Sequence, residues 1–388
     1  MKIILKGGIL FLRSIYCVYK LFPIKNRIVF VSRQSNVPSV DAMLLANEVY
    51  KKDSQVQIIQ EFKCIPDSWM GKIGYCFYMI TRQIYLFATS KVVILDGYCI
   101  LASVLNHKKD LRIVQMWHAM GALKKFGYAA LGNEEGKDPE IAKILQMHRN
   151  YDYVICSSEN CVSYYEEAFR IEKEKMIIAS LPRVDLLVDS KKIGFTQEKI
   201  YKTYPNLRKK KNILYVPTFR MNAKMQEKVQ DLIAKIDLTK YNLIVKLHPL
   251  TKENMELGQV LECEEYSALE LLDIADYVIS DYSAFIFEVA VAQKPLFLYT
   301  FDLEEYIQQR GFFIDYCKEM PSKQYRSASE VSKAIERDEF DMQKIKQFAD
   351  KYVEYKSGCS QKLADFICAL YKTVLMKIRR GEEAWFME

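Results

Sequence analysis

The stretch Ala275-Asp276-Tyr277-Val278-Ile279-Ser280-Asp281-Tyr282-Ser283-Ala284-Phe285-Ile286-Phe287-Glu288-Val289-Ala290 constrains this chain more than any other. Its apolar start reads as a buried strand, and Ser-Asp-Tyr-Ser supplies side chains suited to a helix N-cap. Lys294-Pro295 then ends the helix, and Leu296-Phe297-Leu298-Tyr299 begins another strand. The result is a β-α-β unit, hence an α/β fold with a parallel sheet. The unpartnered amides and the dipole at the start of such a helix can seat phosphate oxygens at the sheet's carboxyl edge, where open α/β folds hold ligands. The same four residues serve equally as a plain cap.

The alternation extends in both directions. Strands are expected at 28–31, 56–59, 91–95, 113–116, 153–156 and 176–179, with helices at 41–50, 139–147 and 159–169. The pattern resumes with strands at 212–216 and 243–246 and a helix at 267–274. A chain of 388 residues is too long for one ordinary core. Four segments follow: a helix in 1–24, a Rossmann-like lobe in 25–190, a second in 191–335, and helices in 336–388 able to pack back on the first lobe. The basic, polar stretch Lys191–Lys211 reads as the crossover.

Charge is informative once located. The chain carries 56 Lys and Arg against 49 Asp and Glu, and the surplus of seven equals the seven basic residues that precede the first acidic one, Asp41. The body is therefore neutral, which counts against a nucleic-acid binder with a broad basic face. Ten cysteines without a Cys-x-x-Cys pair argue against zinc ribbons and disulfide frameworks and for a reducing compartment.

Residues 1–22 are mostly apolar, but Lys6 and Arg13 interrupt them, so no run approaches a membrane span or the h-region of a signal peptide. On a helix at about 100° per residue, Lys2, Lys6, Arg13 and Lys20 fall within roughly 40° of arc. Such a helix suits a bilayer interface, with these four cations toward headgroups and the apolar side toward acyl chains. The alternative is a core helix whose charges snorkel from one edge. The aromatic stretch Trp69–Phe87 either reinforces that contact or packs internally.

Candidate chemistry gathers where strands end. His118, one of four histidines, follows a strand directly, and Lys124-Lys125 lies just beyond. An imidazole there can take a proton from an attacking hydroxyl, or serve the structure. Arg183, in Ser180-Leu181-Pro182-Arg183-Val184-Asp185, reaches the same edge. Three strands of the second half deliver Thr218 with Arg220, Lys246 with His248, and Asp281 with Ser283. A guanidinium fork, a point charge and a helix start together suit a diphosphate. No Gly-x-x-x-x-Gly-Lys-[Ser/Thr] loop is present, which argues against a P-loop NTPase. No Asp-x-Asp pair stands at a strand end, so no obligatory metal is expected, Mg²⁺ acting at most as a weak assistant.

These motifs carry a family likeness. Trp117-His118 with Leu123-Lys124-Lys125, Leu181-Pro182-Arg183-Val184-Asp185, Val216-Pro217-Thr218-Phe219-Arg220, Lys246-Leu247-His248-Pro249 and Ser280-Asp281-Tyr282-Ser283 resemble the CDP-glycerol glycerophosphotransferases. Asp302-Leu303-Glu304-Glu305-Tyr306 and Arg310-Gly311-Phe312 extend the match, which covers about 110–320. The resemblance implies a GT-B-like α/β fold: two Rossmann-like domains, the first for the acceptor and the second for the CDP-alditol, with an interdomain cleft and an N-terminal amphipathic membrane-associating helix. It implies transfer of a polyol phosphate, glycerol phosphate first, from CDP-glycerol or CDP-ribitol in teichoic acid synthesis. The acceptor would be a polyprenyl-diphosphate-linked or polyol-phosphate hydroxyl at the inner leaflet of the cell membrane, and CMP would leave. His118 and His248 map to the family's functional histidines. His118 would be the base toward the acceptor hydroxyl, His248, Lys246, Arg220, Thr218 and Ser283 would hold the CDP diphosphate, and Arg183, Ser280, Asp281 and Glu288 complete the donor set. Where the family commonly has Trp-His-Gly, this chain has Ala119. Two rival readings share these features: a GT-B glycosyltransferase using a UDP- or GDP-sugar, and a catalytically silent membrane-peripheral scaffold.

Overall fold

A computed structural model describes residues 2–133, 136–218, 223–247 and 260–379. Two parallel sheets organise them. The first contains β1 (Arg27–Ser32), β2 (Gln57–Phe62), β3 (Val92–Leu95), β4 (Arg112–Gln115), β5 (Tyr153–Cys156) and β6 (Met176–Ile178), in the order β2-β1-β3-β4-β5-β6. The second contains β7 (Lys211–Tyr215), β8 (Tyr241–Val245), β9 (Tyr277–Ser280), β10 (Leu296–Tyr299) and β11 (Gln324–Tyr325), in the order β11-β10-β9-β7-β8. Both are wound alike. From its first strand each sheet grows one way to the second strand and the other way to the third. That reversal opens a crevice at the carboxyl ends, between β1 and β3 in one lobe and between β7 and β9 in the other.

The central strands are apolar on both faces and buried along their length, as helix-covered parallel strands must be. One apolar cluster fills the first lobe and continues into the second through Phe287, Phe348 and Tyr352, while another fills the outer side of the second sheet. The basic stretch after β6 forms the helix Ser190–Thr203, which Asp189 caps by accepting from the Lys191 and Lys192 amides.

The C-terminal helices return to the first lobe. Ser157 Oγ and Ser158 Oγ donate to the carbonyls of Tyr352 and Lys351, at the end of the helix Met342–Tyr352. Helix Cys359–Arg379 starts on Asp185, whose carboxylate accepts from the Cys359 and Ser360 amides, and it lies along helix Val40–Lys52 with Lys52 paired to Asp365.

Two expectations need correcting. The turn after β9 is not a side-chain cap: the helix there is Phe285–Val291, and Ala284 at its N-cap offers no side-chain bond. Ser283 Oγ instead accepts the Phe285 amide at 3.2 Å, and Asp281 is committed elsewhere. The basic arc of the first helix, Lys2–Tyr19, is not turned outward as a set either. Arg13 donates to Val104 O at 2.7 Å and Gln146 Oε1 at 3.1 Å, Lys20 to Asn106 O at 2.9 Å, and Lys2 pairs with Glu140 at 3.0 Å. Only Lys6 of the four has no protein partner among the described residues. Leu12 and Tyr16 are the buried contacts, so Ile3, Ile4, Leu10, Phe11 and Val18 face outward. Trp69, Met70, Ile73 and Phe77 on helix Trp69–Tyr78 are exposed as well, whereas Tyr75 is buried. No described helix is long and apolar enough to cross a membrane.

Candidate active site

The end of β4 builds the first half of the site. Gln115 is buried and bonds outward on three sides: its amide nitrogen donates to Gly97 O at 2.9 Å and Tyr151 Oη at 3.1 Å, and its oxygen accepts the Trp117 amide at 2.9 Å. The chain turns here through Trp117 at φ 61°, a left-handed conformation that a bulky residue adopts only when its surroundings compel it. The compulsion is visible in the indole ring, stacked on Phe126 at 4.6 Å and edge-on to Phe169 at 5.4 Å. The turn lifts the next residue, His118, out of the sheet and leaves it exposed.

His118 has one ring nitrogen spoken for. Nδ1 lies 2.9 Å from the backbone oxygen of Asp96, and since a carbonyl only accepts, Nδ1 carries the proton. Nε2 is then the basic nitrogen, with no bond from any described residue. Water reaches the ring on one side, and protein closes round its other sides. That burial pushes the imidazole below its usual value of 6.5, against the pull of the Asp96 carbonyl and with help from the Arg183 charge. The ring is neutral at pH 7, as a general base must be.

Arg183 holds this arrangement together. Its guanidinium makes a close double contact to Asp41, at the start of helix Val40–Lys52, and donates to Glu288 Oε1 at 3.0 Å and to His118 O at 3.1 Å. Burial works against the guanidinium's charge, but the two carboxylates outweigh it and raise its pKa, while burial pushes the Glu288 carboxyl up. Arg183 and Glu288, expected to bind substrate, are thus engaged with each other and with Asp41. They tie the His118 loop to helix Phe285–Val291 of the second lobe.

A second tie lies alongside. Gly121, at φ 61°, sits so close to Phe287 that a Cβ there would come within 2.3 Å of the ring. A third is the pairing of Lys124 with Phe312, where the Lys125 amide donates to Gly311 O and the Phe313 amide to Leu123 O. The segment following Asp302 therefore clasps the two lobes, with Tyr306 stacked on Tyr282 at 4.0 Å. Ala119 does not have positive φ, so its backbone conformation itself does not require glycine.

Across the cleft, the second sheet's crevice is closed by Asp281. Its carboxylate accepts the Thr218 amide at 2.9 Å, the Thr218 hydroxyl at 2.7 Å and the Tyr282 amide at 2.6 Å, joining the loops after β7 and β9. Ser280 Oγ donates to Val216 O at 2.9 Å across the same gap. Both side chains are fully buried, so their work is to hold the loops; Thr218 and Ser283 on the same turns are partly open. Lys246 Nζ donates to Cys263 O at 3.1 Å, on the neighbouring turn. Arg220 and His248 lie outside the described residues, as do Trp385 and Phe386 at the C-terminus. Among the described residues no group of three or more His, Cys, Asp or Glu is placed to hold a metal ion.

Two relevant residues escaped the sequence reading. Arg33 follows β1 and Asp96 follows β3, and together with Trp117 they line a cavity beside His118. The signal was available: both stand one residue past a strand end, as His118 stands near one.

The chain matches the family model of the CDP-glycerol:poly(glycerophosphate) glycerophosphotransferases over residues 15–369. It is 29% identical to the teichoic acid ribitol-phosphate primase of Bacillus spizizenii over 359 residues, covering 89% of this chain and 92% of that protein. It is 32% identical to the teichoic acid glycerol-phosphate primase of Bacillus subtilis, covering 74% and 76%. The fold is similar to that of the wall teichoic acid polymerase TagF, with a TM-score of 0.76 at 21% identity over 96% of this chain and 98% of that one.

Proposed function

The chain belongs to the CDP-glycerol:poly(glycerophosphate) glycerophosphotransferase family, and from that membership we propose that it transfers a polyol phosphate from a CDP-alditol to an acceptor hydroxyl in teichoic acid synthesis. The acceptor oxygen attacks the β-phosphorus, the bond to the α-phosphate bridging oxygen breaks, and CMP leaves. The proton of the attacking hydroxyl passes to His118 Nε2. A base so placed contributes about 10²–10⁴-fold, and the remaining acceleration comes from positioning and from stabilising phosphoryl charge. Ser283, whose oxygen already accepts an amide, has its hydroxyl proton available for a phosphate oxygen. His248, Arg220, Thr218 and Lys246 complete the donor seat in this reading. No metal is obligatory; Mg²⁺ assists at most weakly.

The observation that carries the reading is the Arg183 bridge. It bonds the His118 carbonyl at one end and, at the other, Glu288 on the helix that follows the Ser283 turn, which supports the base and the donor turn serving one reaction. Incubation of the purified chain with CDP-glycerol or CDP-ribitol and a lipid-linked acceptor, followed by mass measurement of the product, tests it. Addition of a glycerol phosphate or ribitol phosphate unit with release of CMP supports the reading. Sugar transfer from a UDP-sugar instead would overturn it.

In the same reading the chain is peripheral to the inner leaflet, where a polyprenyl-diphosphate-linked acceptor is confined. The outward apolar side of helix Lys2–Tyr19 supports this more than its cations do, since three of the four are occupied within the protein.

A further inference from the structure

Helix Lys2–Tyr19 is held to the first lobe at two points along the helix Pro139–Ile144 and the turn after it. At one, Lys2 pairs with Glu140 at 3.0 Å; at the other, about three turns on, Arg13 donates to Gln146 Oε1 at 3.1 Å and Val104 O at 2.7 Å. Between these points the two helices leave a groove of about 570 Å³, on a different part of the lobe from His118 and the donor turns.

The groove is basic. Lys2, Lys6, Arg13 and Lys143 line it against one carboxylate, Glu140, which Lys2 already holds. Arg13 is likewise engaged, but Lys6 and Lys143 make no hydrogen bond or ion pair with any described residue. Two ammoniums on an open surface hold an anion weakly. Here they flank half-buried Ile9 and Ile144, and a cleft of one sign of charge with apolar walls concentrates its field on whatever enters.

The outer rim of the groove says which anion fits. Leu10, four positions from Lys6 and so about 40° round the helix, both lines the groove and is 66% exposed. Ile3 and Phe11 continue that bare apolar side. A soluble phosphate gains nothing from it. A phospholipid uses both parts, its phosphodiester in the groove and its acyl chains along Leu10, Ile3 and Phe11. A zwitterionic headgroup brings a cation of its own toward Lys6 and Lys143, so an anionic one fits better.

We propose that the groove between helices Lys2–Tyr19 and Pro139–Ile144 is a binding site for one anionic phospholipid, whose phosphodiester is held by Lys6 and Lys143. The chain then selects its membrane by headgroup and not by apolar insertion alone. The proposal rests on the peripheral placement above and adds to it a saturable site.

The full chain is compared with Lys6→Gln, Lys143→Gln, the double glutamine variant and the double arginine variant. Lys72→Gln, on the exposed side of helix Trp69–Tyr78, removes the same charge outside the groove. Each protein is floated with vesicles of phosphatidylcholine, with or without phosphatidylglycerol, and analysed by native mass spectrometry in detergent with phosphatidylglycerol. Wild type prefers the phosphatidylglycerol vesicles and retains one such lipid per chain. Each glutamine in the groove weakens that preference about tenfold, the loss of one charge-assisted contact, and leaves flotation with phosphatidylcholine unchanged. The double glutamine variant loses the retained lipid, the arginine variant keeps it, and Lys72→Gln keeps it too. Equal effects of Lys72→Gln and Lys6→Gln would make the attraction diffuse and overturn the proposal. Displacement of the lipid by an equal concentration of glycerol 3-phosphate would overturn it in favour of a soluble phosphate. If wild type floats with neither vesicle, yet retains one phosphatidylglycerol through Lys6 and Lys143, the peripheral placement fails while the lipid site stands.

Discussion

Replacing Arg183 by Gln removes the centre of the interlobe network and should affect stability and catalysis together. The guanidinium is close to two carboxylates, doubly to Asp41 and at 3.0 Å to Glu288, and all three groups are largely buried. At an effective dielectric of about 20, one unit charge pair some 4 Å apart is worth roughly 4 kcal/mol. Breaking a buried pair by removing one partner costs about 3–5 kcal/mol, since the abandoned charge stays desolvated. Here two carboxylates are abandoned, and part of the loss returns as they take up protons. We expect a net loss of about 3–5 kcal/mol at neutral pH.

The pH dependence has a definite sign. Burial already raises the Glu288 pKa in the folded state, and removing Arg183 raises it further. A folded-state carboxyl with raised pKa binds protons more readily than the unfolded chain, so its destabilising effect grows as pH rises and fades as pH falls toward the ordinary carboxylate range. Urea unfolding of the variant at pH 5 and pH 7.5 should therefore show the larger deficit at pH 7.5, and Asp41→Asn with Glu288→Gln should restore much of it. The freed His118 loop should also lower kcat. A deficit under 1 kcal/mol at both pH values with unchanged kcat would refute the view that Arg183 joins the lobes.

Other consequences are narrower. Burial keeps His118 neutral, so the acid limb of kcat/KM should fall below pH 6.5; a limb above 7 would point to another base. Gly121→Ala should destabilise by about 2 kcal/mol through the Phe287 clash and the strained φ, measured by urea unfolding. Asp281→Ala frees the Thr218 loop and should weaken CDP-alditol binding at least tenfold by calorimetry, since it removes bonds to a charged acceptor. Phe11→Asp should reduce co-flotation with anionic vesicles more than Lys20→Gln does, because Phe11 is exposed and Lys20 is bonded to Asn106 O. His248→Ala should leave the fold intact, checked by circular dichroism, and abolish turnover with CDP-glycerol.

What could be read in advance followed the reach of each interaction. Strand ends are local, so the residues after β4, β7 and β9 were recognisable from apolar runs and their breaks. Those runs brought His118, Thr218 and Asp281 to notice. What each side chain does there depends on partners far along the chain. Arg183 reads from the sequence as part of the CDP-alditol set, because Asp41 and Glu288 stand 142 and 105 positions away. Asp281 reads as a helix cap, but its carboxylate accepts the Thr218 amide and hydroxyl and the Tyr282 amide on two loops. The helical wheel of the first helix grouped its cations correctly. A wheel has no outside until the helix is docked, and docking through Leu12 and Tyr16 turned Arg13 and Lys20 onto the protein. Arg33 belongs to the N-terminal surplus charge, yet its place one residue after a strand is the more telling fact.

His118 acts as the base at a donor seat formed by other residues. In the His118→Gln variant, CDP-alditol affinity and the rate of transfer to an acceptor should separate: binding close to wild type, transfer slower by about 10²–10⁴-fold. Transfer at the wild-type rate, or loss of CDP-alditol binding in parallel with turnover, would contradict it.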